Sequence, residues 1–89
     1  MANAQMKPVR LSAHALGYLD RRGFTQAEVE DTIRTASWRP ARGGRLEALK
    51  DFSYNTVWNG VFYATKRVRT IFVDNPAEIV VVTVYTYFF

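Results

Sequence analysis

Residues 78–87 read Glu78-Ile79-Val80-Val81-Val82-Thr83-Val84-Tyr85-Thr86-Tyr87, an almost unbroken run of β-branched and aromatic side chains. Such residues suit the pleated surface of a sheet. The run therefore predicts a strand. Asp74-Asn75-Pro76-Ala77, just before it, is a turn sequence, so the strand folds back antiparallel on residues 66–74. Successive side chains of a strand point to opposite faces. Val80, Val82 and Val84 then share one face, predicted to be core. Val81, Thr83, Tyr85 and Tyr87 share the other, which either walls a site or packs across strands.

Two further strand-like runs, 45–52 and 56–65, precede this hairpin. Within the second, Asn59-Gly60 suits a two-residue hairpin turn, or a bulge if the strand continues through it. Ten of the thirteen aromatic residues fall from Phe52 onward, so the sheet supplies most of the core. Upstream of the Pro- and Gly-rich break at Trp38-Arg39-Pro40-Ala41-Arg42-Gly43-Gly44 the pattern is helical. Ser12 is an N-cap for a first helix reaching about Arg22, closed by Gly23. Thr25-Gln26-Ala27-Glu28 is a capping box, and Phe24 with Val29 forms a hydrophobic staple across it. Val29, Ile33 and Ala36 continue as a helical core stripe. The predicted class is α+β: two N-terminal helices on one face of a single antiparallel sheet of about four strands. Residues 1–8 lack periodicity and are expected to be flexible; 9–89 form a single domain.

At 89 residues, 48% hydrophobic and 22% charged, the chain has an ordinary globular composition. Its longest apolar run, 79–82, is far below the roughly 20 residues of a membrane span, and the first residues lack a secretory h-region. A cytoplasmic protein without membrane attachment is expected. The absence of cysteine removes disulfides, thiolate zinc sites and cysteine nucleophiles, and a single histidine without an acidic cluster argues against a catalytic metal. No cofactor is expected: Gly43-Gly44 lacks the phosphate-loop pattern, and Ser12, Ser37 and Ser53 lack a glycine-flanked elbow. Twelve Lys and Arg against eight Asp and Glu give +4, and nine of the twelve are arginine. That balance points to a polyanionic partner, RNA first, or else to a solvated basic surface.

His14 is the only side chain of a type that titrates near neutrality, hence the one easy general acid or base. Tyr18 and Arg21 share its helical face and Arg22 borders it, which suits phosphate binding; a structural role on an amphipathic helix is the alternative. In Lys66-Arg67-Val68-Arg69, alternation sends Arg67 and Arg69 to one face and Lys66 to the other. The arginine pair is either a phosphate platform or an edge charge that blocks aggregation. Trp38, Tyr54, Trp58 and Tyr63 either stack on bases or fill the core. The apolar Tyr87-Phe88-Phe89 end is either tucked in or part of an interface, including a homodimer built on the last strand.

Val9-Arg10-Leu11-Ser12-Ala13-His14-Ala15-Leu16, followed by Arg22-Gly23-Phe24, resembles the opening of a bacterial family of uncharacterised proteins. The close of that family reads like Lys66-Arg67-Val68-Arg69 followed by Val81-Val82-Thr83-Val84-Tyr85, so the resemblance spans roughly residues 9 to 87. The family is grouped with the Barnase–EndoU–colicin–RelE ribonucleases, many of them toxins of toxin–antitoxin pairs. What the resemblance implies is a RelE- or barnase-like fold with His14 facing Lys66, Arg69, Thr83 and Tyr85, acting without metal on RNA and silenced by a cognate antitoxin. The family helix often carries an arginine four residues after the histidine, where this chain has Tyr18, leaving Arg21 to substitute. On this reading His14 is the base toward the ribose 2′-hydroxyl, Arg69 and Lys66 stabilise the phosphorane, and Tyr85 or Thr83 positions the phosphate or assists the leaving oxygen. Tyr18, Arg21, Arg22 and Arg67 are the further RNA contacts. Lys66 and Arg69 reach one site only if a bulge lies between them. The alternative is a non-catalytic RNA- or protein-binding module of the same fold.

Overall fold

Asn59 and Gly60 both adopt positive φ, 51° and 83°, the signature of a two-residue type I′ turn whose twist matches that of its flanking strands. The expected strand at 56–65 is therefore split across this turn, and its halves extend the strands on either side. In the computed structural model, which describes residues 7–89, this produces two long strands, β3 (Leu46–Trp58) and β4 (Val61–Asp74). β5 (Ile79–Phe88) follows the second turn, which Asn75 closes by donating its N–H to the Glu78 carbonyl at 3.0 Å. Residues 1–6, most of the stretch expected to be flexible, lie outside the described residues. Lys7 and Pro8 are held in place: the Lys7 ammonium meets Asp74, and the Pro8 carbonyl accepts from the Ile79 N–H.

Two short strands complete the sheet. β1 (Val9–Leu11) runs parallel to β5, and β2 (Arg39–Pro40) is antiparallel to β3. The order is β1-β5-β4-β3-β2. The molecule is thus α+β with one mixed five-stranded sheet, and the expected four-stranded, wholly antiparallel sheet is corrected on both counts. β1 is too short and too interrupted, by Arg10, for its alternation to stand out in the sequence.

The helical segment expected over 12–22 breaks in two, α1 (Ala13–Gly17) and α2 (Leu19–Arg22). Tyr18, at φ −103° and ψ −1°, bends the chain between them, directly after the poor helix-former Gly17. Ser12 caps α1 by accepting from the Ala15 N–H, and Gly23 closes α2 in the left-handed conformation. α3 (Gln26–Thr35) carries the full capping box on Thr25 and Glu28. A short 3₁₀ turn, Arg42–Gly44, leads into β3.

The helices cover one face of the sheet. Phe24, Val29, Ile33 and Ala15 bury against Ala48, Val68, Phe72, Ile79, Val81 and Val84. Trp38 meets Phe72 edge-on at 5.0 Å and donates its indole N–H to the Ile33 carbonyl. Each large side chain buried in this way stabilises the fold by about 1.5–3 kcal/mol.

The last strand departs from strict alternation. Ile71 pairs with Thr83, but its neighbour Phe72 pairs with Val81, so Val82 is an extra residue and β5 is bulged there. Before the bulge the buried positions are Ile79 and Val81 rather than Val80 and Val82; after it Val84 faces the core and Tyr85 and Tyr87 are exposed. The expected Val80–Val82–Val84 core face is corrected accordingly. A second bulge, at Tyr54-Asn55, kinks β3.

Candidate nucleic-acid interface

Arg22 ends α2 on the helical side, where its carbonyl accepts from the Thr86 hydroxyl. Its side chain then crosses the edge of β5. Nη1 donates to the Val84 carbonyl at 2.8 Å and to the Thr83 hydroxyl at 3.3 Å. The guanidinium carbon lies 3.9 Å from the Tyr18 ring centre and 4.9 Å from that of Tyr85. Two hydrogen bonds and two ring faces fix this group in place. Its Nε–H and Nη2 hydrogens have no partner among the described residues, and no carboxylate pairs with it. That edge is an unbonded fork of the shape that grips a phosphate through two oxygens.

A continuous row runs through this arginine. His14, exposed on α1, places its ring 4.9 Å from Tyr18. Tyr18 lies against Arg22, with Arg21 also 5.3 Å from its ring, and Arg22 lies against Tyr85. Arg69 approaches Tyr85 from β4 at 5.4 Å. The break at Tyr18 makes this possible, because it turns α2 so that Arg22 reaches the sheet edge. His14 and Arg69 thus stand at opposite ends of the row and do not touch.

The arginines on the open face are already engaged. Arg69 donates to Glu47 through Nε at 3.0 Å, and Arg39 meets the other oxygen of the same carboxylate at 2.7 Å. Hydrogen bonding from Arg69 holds the Glu47 carboxyl below the usual carboxylate range, despite partial burial that works the other way. Arg69 in turn is raised by hydrogen bonding to Tyr87 and to Glu47. Arg67 grips Asp51 with two bonds, at 2.6 and 3.0 Å, which lowers the Asp51 carboxyl. Sequence reasoning missed Glu47 and Arg39. Only the strand register, which pairs Arg39 with Glu47 and Leu49 with Arg69, brings these charges together.

Lys66 lies elsewhere. It is 6% exposed on the helical face, its ammonium 2.8 Å from Glu28 and 3.0 Å from the Gly23 carbonyl. The pairing of β3 with β4 is regular from Leu46 to Ser53, so no bulge brings Lys66 round to Arg69. The residues that the structure gathers are His14, Tyr18, Arg21, Arg22, Thr83, Tyr85 and Arg69. Lys66 is separated from them, and Arg67 stands along β4 beside Phe89. Of the aromatics considered for base stacking, Tyr54, Trp58 and Tyr63 gather around Phe88, and Trp38 is in the core. The terminal Phe88 is thereby tucked in, while Tyr87 and Phe89 remain exposed. No helix among the described residues is long and apolar enough to cross a membrane. Compared with protein-family models, curated proteins and solved structures, the chain matches none.

Proposed function

We propose that the chain is a metal-independent endoribonuclease with a RelE- or barnase-like arrangement of sheet and helices, working in the cytoplasm as the toxin of a toxin–antitoxin pair. The observation that carries this reading is the row in which an exposed imidazole and a half-buried, rigidly held guanidinium with no carboxylate partner among the described residues flank one tyrosine. Arg22, rather than Lys66, holds the scissile phosphate on its unbonded fork and takes the charge that builds on phosphorus. His14 accepts the proton of the ribose 2′-hydroxyl as that oxygen attacks. The bond from phosphorus to the 5′-oxygen breaks, and the Tyr85 hydroxyl protonates the departing oxygen, leaving a 2′,3′-cyclic phosphate. Thr83 acts through Arg22, which it orients. An antitoxin that covers the row silences the enzyme.

Cleavage of RNA in EDTA is the test. His14→Ala is expected to lose about 10²–10⁴-fold of the rate, and Arg22→Ala about 10²-fold or more. Arg22→Lys restores little, because an ammonium has no fork. Unchanged cleavage by the His14 variant removes the enzymatic reading. A second reading has its own support: His14 and Arg69 stand at opposite ends of the row and do not touch, which suits an extended contact with RNA better than chemistry at one phosphate. It predicts salt-sensitive RNA retention without turnover.

A further inference from the structure

The two edges of the sheet are finished differently. β1 lines β5 only over its first residues, and past that point Arg22 occupies the Val84 carbonyl. At the other edge β2 pairs with β3 only at Leu46 and Glu47. From Ala48 to Ser53, before the bulge, six residues of β3 pair with β4 on one side and with no strand on the other. That is about 20 Å of open edge at ~3.3 Å per residue. A groove of about 740 Å³ runs beside it, lined by Thr35 and Ser37 at the end of α3, by the cations of Arg39, Lys50 and Arg67, and by one carboxylate, Asp51.

An open edge offers main-chain donors and acceptors to an added strand, and the side chains of that strand alternate between the two faces. Here the faces differ in charge. On the open face Arg39 and Arg67 project with much of their surface exposed, and Arg42 and Arg45, which lead into β3, have no carboxylate partner among the described residues. Only Glu47 and Asp51 oppose them there. On the helical face the end of α3 borders the groove, and the one ammonium there, that of Lys50, is already taken by Asp31 and the Thr35 hydroxyl, so no free cation awaits a carboxylate on that side. The acceptable strand therefore has acidic residues at every second position and apolar or small ones between.

We propose that the β3 edge is a docking site for an acidic peptide segment, which adds as a sixth strand with its carboxylates beside Arg39 and Arg67. This site lies at the opposite sheet edge from the His14–Arg22 row and does not depend on the ribonuclease reading.

Titration of the full chain with acetyl-(Glu-Val)₄-amide, followed by amide NMR, tests it. Shifts are expected at 48–53 and slowed exchange at the alternate amides of that stretch that face away from β4, with binding at least about tenfold tighter than that of the matching Thr-Val peptide. Arg39→Glu should weaken binding about tenfold. Asp51→Asn should tighten it by freeing Arg67, while His14→Ala leaves it unchanged. The proposal is overturned by equal binding of the Lys-Val peptide or by shifts confined to other strands. It is overturned equally if these amides are already protected in a free protein of dimeric mass, because a second copy then fills the edge.

Discussion

Gly23 meets two demands at once. Its φ of +71° is a conformation that L side chains rarely adopt, and a Cβ placed there would lie 2.7 Å from the Trp58 ring. Gly23→Ala is expected to cost about 2–4 kcal/mol, combining the left-handed penalty with overpacking, read as a shift of the urea midpoint. A loss below about 0.5 kcal/mol would mean that Trp58 moves aside freely. Lys66 is a second case in which structure outweighs chemistry. Its ammonium joins Glu28, which already caps α3, to β4. Lys66→Met should cost about 2–3 kcal/mol, less than a fully enclosed pair because Glu28 keeps water and its cap bond. If the proposed function holds, RNA affinity should stay within about twofold, and a large drop in affinity with stability intact would place Lys66 with the row of His14 and Arg22. The sequence already separates Lys66 from Arg69 by simple alternation. It does not reveal that Arg22 is the group held between two tyrosines, because Gly17 hints at a weak point in the helix but not at the direction in which the chain bends at Tyr18.

At the level of elements, the clearest local signals are those whose partners lie within a few residues. The capping box at Thr25 and Glu28, the staple of Phe24 with Val29 and the Asn59-Gly60 turn all form from near neighbours. Thr25→Ala should remove about 1 kcal/mol and lower Tm by about 4–8 °C, measured by thermal melting. An unchanged Tm would show that Glu28 and the staple hold the helix start without the threonine. The β5 bulge at Val82 is a different kind of feature. It is set by how β5 must pair with β4 while β1 and the helices press on it, so an even run of valines gives no hint of where the parity changes. β2 was equally hidden: two residues inside a Pro- and Gly-rich break become a strand only because β3 is beside them.

Across the whole molecule, charge ties the sheet together. Glu47, Asp51 and Glu78 are held below the ordinary carboxylate range by Arg69, Arg67 and Arg10 respectively. A carboxyl that binds its proton less readily when folded adds stability above its unfolded pKa, near 4, and loses that stability as pH falls through the lower folded value. Unfolding midpoints should therefore be flat from about pH 7 to 5 and fall below about pH 4. A flat profile down to pH 3 would show that these pairs add nothing. The class of the fold was legible because burial patterns are local sums, whereas the row of His14, Tyr18, Arg22, Tyr85 and Arg69 was only half legible. Its members come from two helices and two strands, and their meeting depends on register. The unequal finishing of the sheet edges also limits assembly. A sheet open along both sides can accept copies of itself without end, as fibres do. By holding the Val84 carbonyl, Arg22 takes away an acceptor that a strand laid along β5 past β1 would need, so strand-by-strand growth is disfavoured there and lateral pairing falls to the β3 side.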